Sequence, residues 1–293
     1  MATTRVGPLT VELSTDVAAF SARAAALLAA DPVRSCVVAS WVERTLNDDP
    51  PVRPTWLLVT SADSAGSPIG AAMHTPPFPP YLPPMPEAAA AALADALHQC
   101  GDAPAGVNGD AAATAAFVER WVALTGCVAT RTTAEGVHVL DGLAPPVGVD
   151  GAQRAATHED LALVLRWYED FGDEIGVHRP PLPRPWVRTT VERGLVLLWT
   201  DPFGAVVSLA GRTTAVGGVS RIGPVYTPPA QRRHGYAAAV TAGSCRQALA
   251  AGAQQVMLFT DLANPTSNGV YARLGFRRVG DASEWLFEPS GPG

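Results

Sequence analysis

Ile222-Gly223-Pro224-Val225-Tyr226-Thr227-Pro228-Pro229-Ala230-Gln231-Arg232-Arg233-His234-Gly235-Tyr236-Ala237 is the stretch on which the fold of this chain turns. A strand runs to Tyr226, Pro228 and Pro229 stop it by removing backbone donors, and the small residues that follow start a helix near Arg233. A helix that begins straight after a strand leaves its first amides unpaired and points the positive end of its dipole into the junction. The corner is therefore an anion site. Gly235 and Ala237 keep the first turn small enough for a diphosphate to approach the backbone, and Arg232 and Arg233 bring positive charge beside it.

Working outward, residues 195–200 and 205–210 flank the turn Asp201-Pro202-Phe203-Gly204 as an antiparallel hairpin, and a third strand runs through 215–226. Downstream, a helix is expected over 232–251, a compact strand over 256–260, a helix over 267–274, and two short strands around 276–279 and 285–287. An antiparallel meander followed by a strand-helix-strand unit predicts an α/β fold (α+β mixed sheet).

The junction contains Arg, two residues, Gly, one residue, Ala, and after the 256–260 strand come Asn264, Ser267, Tyr271 and Gly275-Phe276. In these two motifs the C-terminal half resembles the GCN5-related N-acetyltransferase (GNAT) family. The family signature is Gln or Arg, two residues, Gly, one residue, Gly or Ala, followed downstream by an Asn, a small residue three on, a Tyr four later and Gly-Phe. Arg232, Gly235 and Ala237 match the first part, and Asn264, Ser267, Tyr271 and Gly275-Phe276 match the second.

The resemblance implies the acyl-CoA N-acyltransferase fold, with acetyl-CoA as cosubstrate lying between two parallel strands that splay apart near Tyr226 and Thr260. It implies that backbone groups near Val225, Tyr226 and Thr227 hold the pantetheine arm. Arg232, Arg233, His234, Gly235, Tyr236 and Ala237 would cradle the diphosphate, and Asn264 and Ser267 would add polar contacts. Tyr271 would be the proton donor to the departing thiolate. The implied activity is direct transfer of an acetyl group to a primary amine of a small molecule or protein, and the rival from another class is a non-catalytic acyl-CoA-binding sensor.

Residues 217–221 offer no carboxylate to take the amine proton. Glu169, Asp170, Asp173, Glu174 and His178 are candidates from the region after the first helix of this half, alongside a plain solvated charge run, a water chain or an amine that arrives neutral. A dinucleotide-binding oxidoreductase is disfavoured, because the loop holds a single glycine where that fingerprint needs three after the first strand of a parallel unit.

Composition narrows the partners. The formal net charge is −6 over 293 residues and every basic residue is Arg, so no basic stripe marks a nucleic-acid surface. Cys36, Cys100, Cys127 and Cys245 lie far apart, and neither they nor the scattered His74, His98, His138 and His158 have metal-ligand spacing. No apolar run approaches membrane-spanning length and no signal peptide is legible, which makes the cytoplasm the expected address.

The length predicts two domains. Residues 144–151, rich in Pro and Gly, are the expected linker between 1–143 and 152–293, and Thr157 with Asp160 opens the second half in the manner of a capping box. Residues 1–143 repeat the coarse order: helices from about Ser14 onward, a hairpin over 56–60 and 69–73, helices over 87–100 and 110–125, and a strand at 137–140. They lack the anion-loop motif and carry seven prolines over 76–86 in its place, which predicts an extended polyproline-like loop. This order implies a degenerate copy of the same fold in tandem, containing its own splayed parallel strands.

Overall fold

The structure, a computed structural model, describes residues 2–48, 50, 52–64, 66–176 and 182–290. The chain divides into two compact units, one made of residues up to Gly136 together with those from Gly280 on, the other of Val137–Val279. Residues 144–151 thus sit inside the second unit, and the chain end returns to the first. The reason is strand length. β7 (Val128–Leu140) and β13 (Phe276–Glu288) are each 13 residues long, so each carries the chain across the division instead of ending at the Pro- and Gly-rich stretch.

In the first unit, β1 (Ala2–Val6), β2 (Leu9–Ser14), β3 (Thr55–Ser61) and β4 (Pro68–His74) form an antiparallel meander, with α1 (Val17–Ala30) and α2 (Cys36–Asn47) inserted after β2. Asp16 caps α1 by accepting from the Ala19 amide at 3.0 Å. β3 shows how the sheet is covered on both faces. Leu57 and Val59 join a cluster with Leu93, Leu97, Phe117 and Trp121, while Trp56 and Leu58 point the other way and join Phe20, Val38 and Val42. Each such side chain contributes about 1.5–3 kcal/mol by leaving water.

The stretch rich in proline is not wholly a polyproline loop, because Tyr81–Leu82 form a short strand, β5. It is followed by α3 (Glu87–Gln99), β6 (Gly106–Asp110) and α4 (Ala111–Thr125). β5 and β6 are parallel, with Tyr81 opposite Asn108 and Leu82 opposite Gly109, and residues 282–286 of β13 pair antiparallel with β6. The expected splay is missing here: pairing runs to the last residue of β5. Gly109 explains the closeness, since a Cβ there would lie 2.0 Å from the Leu82 carbonyl oxygen.

The second unit has the order β8 (Ala152–Ala155), α5 (Leu161–Glu174), α6 (Arg184–Glu192), β9 (Val196–Thr200), β10 (Val206–Arg212), β11 (Val219–Tyr226), α7 (Tyr236–Ala250), β12 (Gln255–Asp261) and α8 (Pro265–Leu274). The neighbours in its sheet run β12-β11-β10-β9-β8. The capping box is present, with Thr157 and Asp160 bonded reciprocally around a short 3-10 turn before α5. Leu198, Leu209 and Tyr226 pack with Val164 and Trp167 of α5, while Leu197 and Ala210 face Val240 of α7.

Several boundaries differ from expectation; the strand expected at 137–140 starts at Val128 and that expected over 215–226 at Val219. The helix anticipated from Arg232 begins at Tyr236, because a 3-10 turn over Pro229–Gln231 and left-handed residues delay it. The last two short strands are one, β13, which runs from Phe276 to Glu288 without a break. Among the described residues no helix is long and apolar enough to cross a membrane.

Candidate functional site

The parallel strands β11 and β12 pair only over Val219–Gln255, Ser220–Val256 and Arg221–Met257. β11 nevertheless continues to Tyr226 and β12 to Asp261, so their carboxyl ends part and leave facing backbone groups without a ladder. A β-bulge sits on the same stretch. Ala210 faces Val225 and Arg212 faces Ile222, which sets Gly223 and Pro224 opposite the single Gly211.

The side chain of Ser208 fixes which edge of β11 is open. Its hydroxyl donates to the Tyr226 carbonyl at 3.0 Å and shares a hydrogen bond with Thr227 Oγ1 at 2.8 Å. Tyr226 therefore turns its carbonyl to β10, and the alternation of a strand turns the backbone of Val225 to the parted side. Of the expected backbone contacts, Val225 is the one aimed into the gap. Ser208 was not legible in the sequence as part of this site, because a serine in a strand gives no signal.

Beyond Thr227 the chain makes the loop that the motif describes. Arg233 has φ +70° and Gly235 φ +82°, both left-handed, and α7 starts with no side chain capping its first amides. By contrast Asn264 caps α8 and Asp110 caps α4. α7 shares its uncapped start with α2, α3 and α6, and an open start leaves amides that can bind an anion. A Cβ on Gly235 would lie 3.0 Å from Val149, so residue 149 of the expected linker packs on the loop.

Arg232 does not hang free. Its Nε donates to the Thr227 carbonyl at 2.9 Å and its Nη2 to Glu174 at 2.5 Å, so the guanidinium braces the strand end against α5. Arg233 and His234 are exposed, and the His234 ring stacks on Tyr236 with centroids 5.4 Å apart.

The second motif meets the first from α8. Val225, Ala238 and Tyr271 all pack against one cluster that includes Ile222, Cys245, Leu258 and Phe276. Burial pushes the Tyr271 hydroxyl up to about 12, with the neighbouring Cys245 adding to it, and burial likewise pushes the Cys245 thiol up to about 12. Asn264 Oδ1 accepts from the Ser267 amide at 3.0 Å, leaving its amide N–H groups and one oxygen lone pair for a ligand. Asn268, which carried no sequence signal, ties the turn by donating to the Asp261 carbonyl at 3.1 Å, and its Oδ1 is buried with no partner among the described residues.

The acidic candidates separate. Trp167 of α5 lies against Tyr226 with ring centroids 5.8 Å apart, and Glu174, two turns on, is taken by Arg232. Asp170 lies between them on the helix and forms no hydrogen bond or ion pair with a described residue. Burial raises the Tyr226 hydroxyl pKa, and the charges of Asp170 and Glu174 raise it further. Glu169 and Asp173 are exposed, and His178 lies outside the described residues. Among the described residues no group of three His, Cys, Asp or Glu gathers to hold a metal ion.

Residues 204–286 match the family model described as FR47-like protein. No curated protein matches the sequence. Among solved structures, the chain is similar to a Drosophila protein (TM-score 0.67, 11% identity, 95% of this chain and 98% of that one). It is also similar to a GCN5-related N-acetyltransferase from Sphaerobacter thermophilus (TM-score 0.61, 18% identity, 99% and 98%). A third is a tandem GNAT protein from the clavulanic acid biosynthesis pathway, solved without AcCoA (TM-score 0.57, 14% identity, 97% and 99%). The fold is the acyl-CoA N-acyltransferase fold, that of the GCN5-related N-acetyltransferases, in a tandem arrangement.

Proposed function

We propose that the second unit binds acetyl-CoA at the corner between β11 and α7 and transfers its acetyl group to a primary amine of a small molecule or protein, both substrates being held together. The observation that carries this reading is the parting of β11 from β12 beside a helix start with no cap. The gap accepts an extended amide-bearing arm by strand-like hydrogen bonds, and the open amides with Arg233 accept a diphosphate. The buried, unpartnered Asn268 Oδ1 is a further polar group, at the turn between β12 and α8. The residues present fit the cosubstrate.

Bound acetyl-CoA supplies a thioester. Val225 holds the arm through its backbone, and Arg232 keeps Thr227 and the loop in register. The amine nitrogen bonds to the acetyl carbon as the carbon–sulfur bond breaks, the sulfur takes a proton from the Tyr271 hydroxyl, and the proton lost by the amine returns to Tyr271 through water. A hydroxyl pushed up to about 12 is a weak acid, so Tyr271 acts by donating to sulfur as charge develops there, not by releasing its proton beforehand. Asp170, not engaged by Arg232 as Glu174 is, offers the carboxylate field that draws a cationic amine to Tyr226.

The test is calorimetric titration with acetyl-CoA, followed by transfer to a panel of amines. Binding together with acetylation of an amine is expected. Absence of acetyl-CoA binding overturns the reading, and binding without transfer to any amine identifies the alternative, a non-catalytic acyl-CoA-binding sensor.

A further inference from the structure

In the first unit, α1 and α2 meet the sheet around a cavity of about 260 Å³ that has no part in the chemistry above. Its walls include the apolar Leu28, Ala71 and Pro84 and the polar Asp31, Arg34 and Ser35. Ala71 lies on the face of β4 that packs with Phe20 and Val38, and Leu28 packs on the same cluster. Pro84, one of the prolines that stand in this unit where the anion loop was expected, thus supplies part of an apolar wall. An apolar cavity of about 150 Å³ is enough to take benzene, so this one admits a single ring with a short substituent.

The one guanidinium of the polar wall is already engaged. Asp31 accepts from the Arg34 amide at 3.0 Å and from its Nε at 2.6 Å, and Arg34 Nη1 reaches Asp110 at 3.5 Å. An anion entering here would join two carboxylates around a single guanidinium, and a cation would face that guanidinium. Ser35 is different. The residue is only 4% exposed, yet its hydroxyl neither caps α2 nor bonds to any other described residue. A polar side chain so deeply set is ordinarily paired. Its oxygen is not sealed, and the space it opens to is the cavity that Ser35 lines.

We propose that this cavity is a binding site for an uncharged small molecule with an apolar body about one ring in size and a carbonyl oxygen. The oxygen accepts from the Ser35 hydroxyl, and the body lies against Leu28, Ala71 and Pro84. Arg34 Nη2, which bonds to no described residue, is a second donor of the same wall. A mostly apolar pocket with a few placed donors is the ordinary build of a small-molecule site. The site does not depend on acetyl transfer: every residue named belongs to the first unit.

The experiment titrates the full chain with benzamide, benzoate and benzylamine, which share a ring and differ in the charge of the head, and follows binding by saturation-transfer NMR. Benzamide is expected to bind saturably and the two charged probes at least tenfold more weakly. Ser35→Ala removes one oxygen and is expected to raise the benzamide Kd about fivefold, the weight of one neutral hydrogen bond. Ala71→Leu fills the cavity and is expected to abolish binding; if it fails to fold, Ser35→Ala still decides. No saturable benzamide binding up to about 10 mM overturns the site. An unchanged Kd in Ser35→Ala overturns it too, since the ring then lies elsewhere. Benzoate or benzylamine binding as tightly as benzamide overturns the uncharged class and the proposal with it.

Discussion

Tyr271 and the arginines of the loop show how much a side chain's surroundings alter what its identity suggests. A tyrosine in solution has a pKa near that of a thiol, but burial takes Tyr271 up to about 12, so it remains protonated across the working range. Tyr271→Phe is expected to lower kcat by about a hundredfold with acetyl-CoA affinity unchanged, and the wild-type pH–rate profile should show no limb from this group below about pH 10. Stopped-flow rates and calorimetry check both. Arg232 and Arg233 divide the work that the motif assigns to them jointly. Arg232 is tied to Thr227 and Glu174 through two separate nitrogens, so Arg232→Lys, which lacks that fixed fork, should weaken acetyl-CoA binding nearly as much as Arg232→Ala. Arg233→Ala removes only charge, and its effect on binding should fade as salt rises. Gly235 is held at φ +82° beside Val149, so Gly235→Ala should cost about 1 kcal/mol in the loop, read as weaker acetyl-CoA binding, with Val149→Ala giving partial rescue.

Helix starts are where the elements of this chain differ most. α8, α4 and α1 are closed by Asn264, Asp110 and Asp16, whereas α7, like α2, α3 and α6, begins without a side-chain cap. The start of α5 is held instead by Asp160, which pairs with Arg154 at 2.7 Å and accepts from the Thr157 amide at 2.8 Å. The hydrogen bond from Arg154 is the larger cause that lowers Asp160 from 3.8 to about 2. A depressed carboxylate pKa stabilises the fold above the unfolded value, and that stability is lost as pH falls from about 4 toward about 2. Partial exposure of the pair limits it to about 1 kcal/mol. Acid unfolding followed by circular dichroism should show this loss in the wild type, and Asp160→Asn should abolish that part of the pH dependence.

The two units share an order, strand-helix-strand-helix with the two strands parallel, but the cosubstrate place proposed above has its features in only one. β5 stays paired with β6 to its end, and Pro83, Pro84 and Pro86 remove the amides that an anion would need before α3. β11 and β12 part, and α7 is open. Titration with acetyl-CoA is therefore expected to give one site for each chain, lost on changing the 232–237 loop and unaffected by Pro84→Ala. Two sites, or a site that survives loss of the loop, would contradict this.

From the sequence alone came the meander, the strand-helix-strand unit, the anion corner and its two motifs, and the repeated order of the N-terminal half. Those features are local: proline removes a donor, glycine permits a left-handed turn, and apolar spacing sets the period within a few residues of itself. The parting of β11 from β12, the closure of β5 on β6, and the division of labour between Arg232 and Arg233 were decided only in three dimensions. Each depends on which strand edge a backbone group faces or on what packs against it, and residues far apart in the chain supply the neighbours. The same reason hid Ser208 and Asn268, whose roles exist only where the ends of β11 and β12 have already been placed.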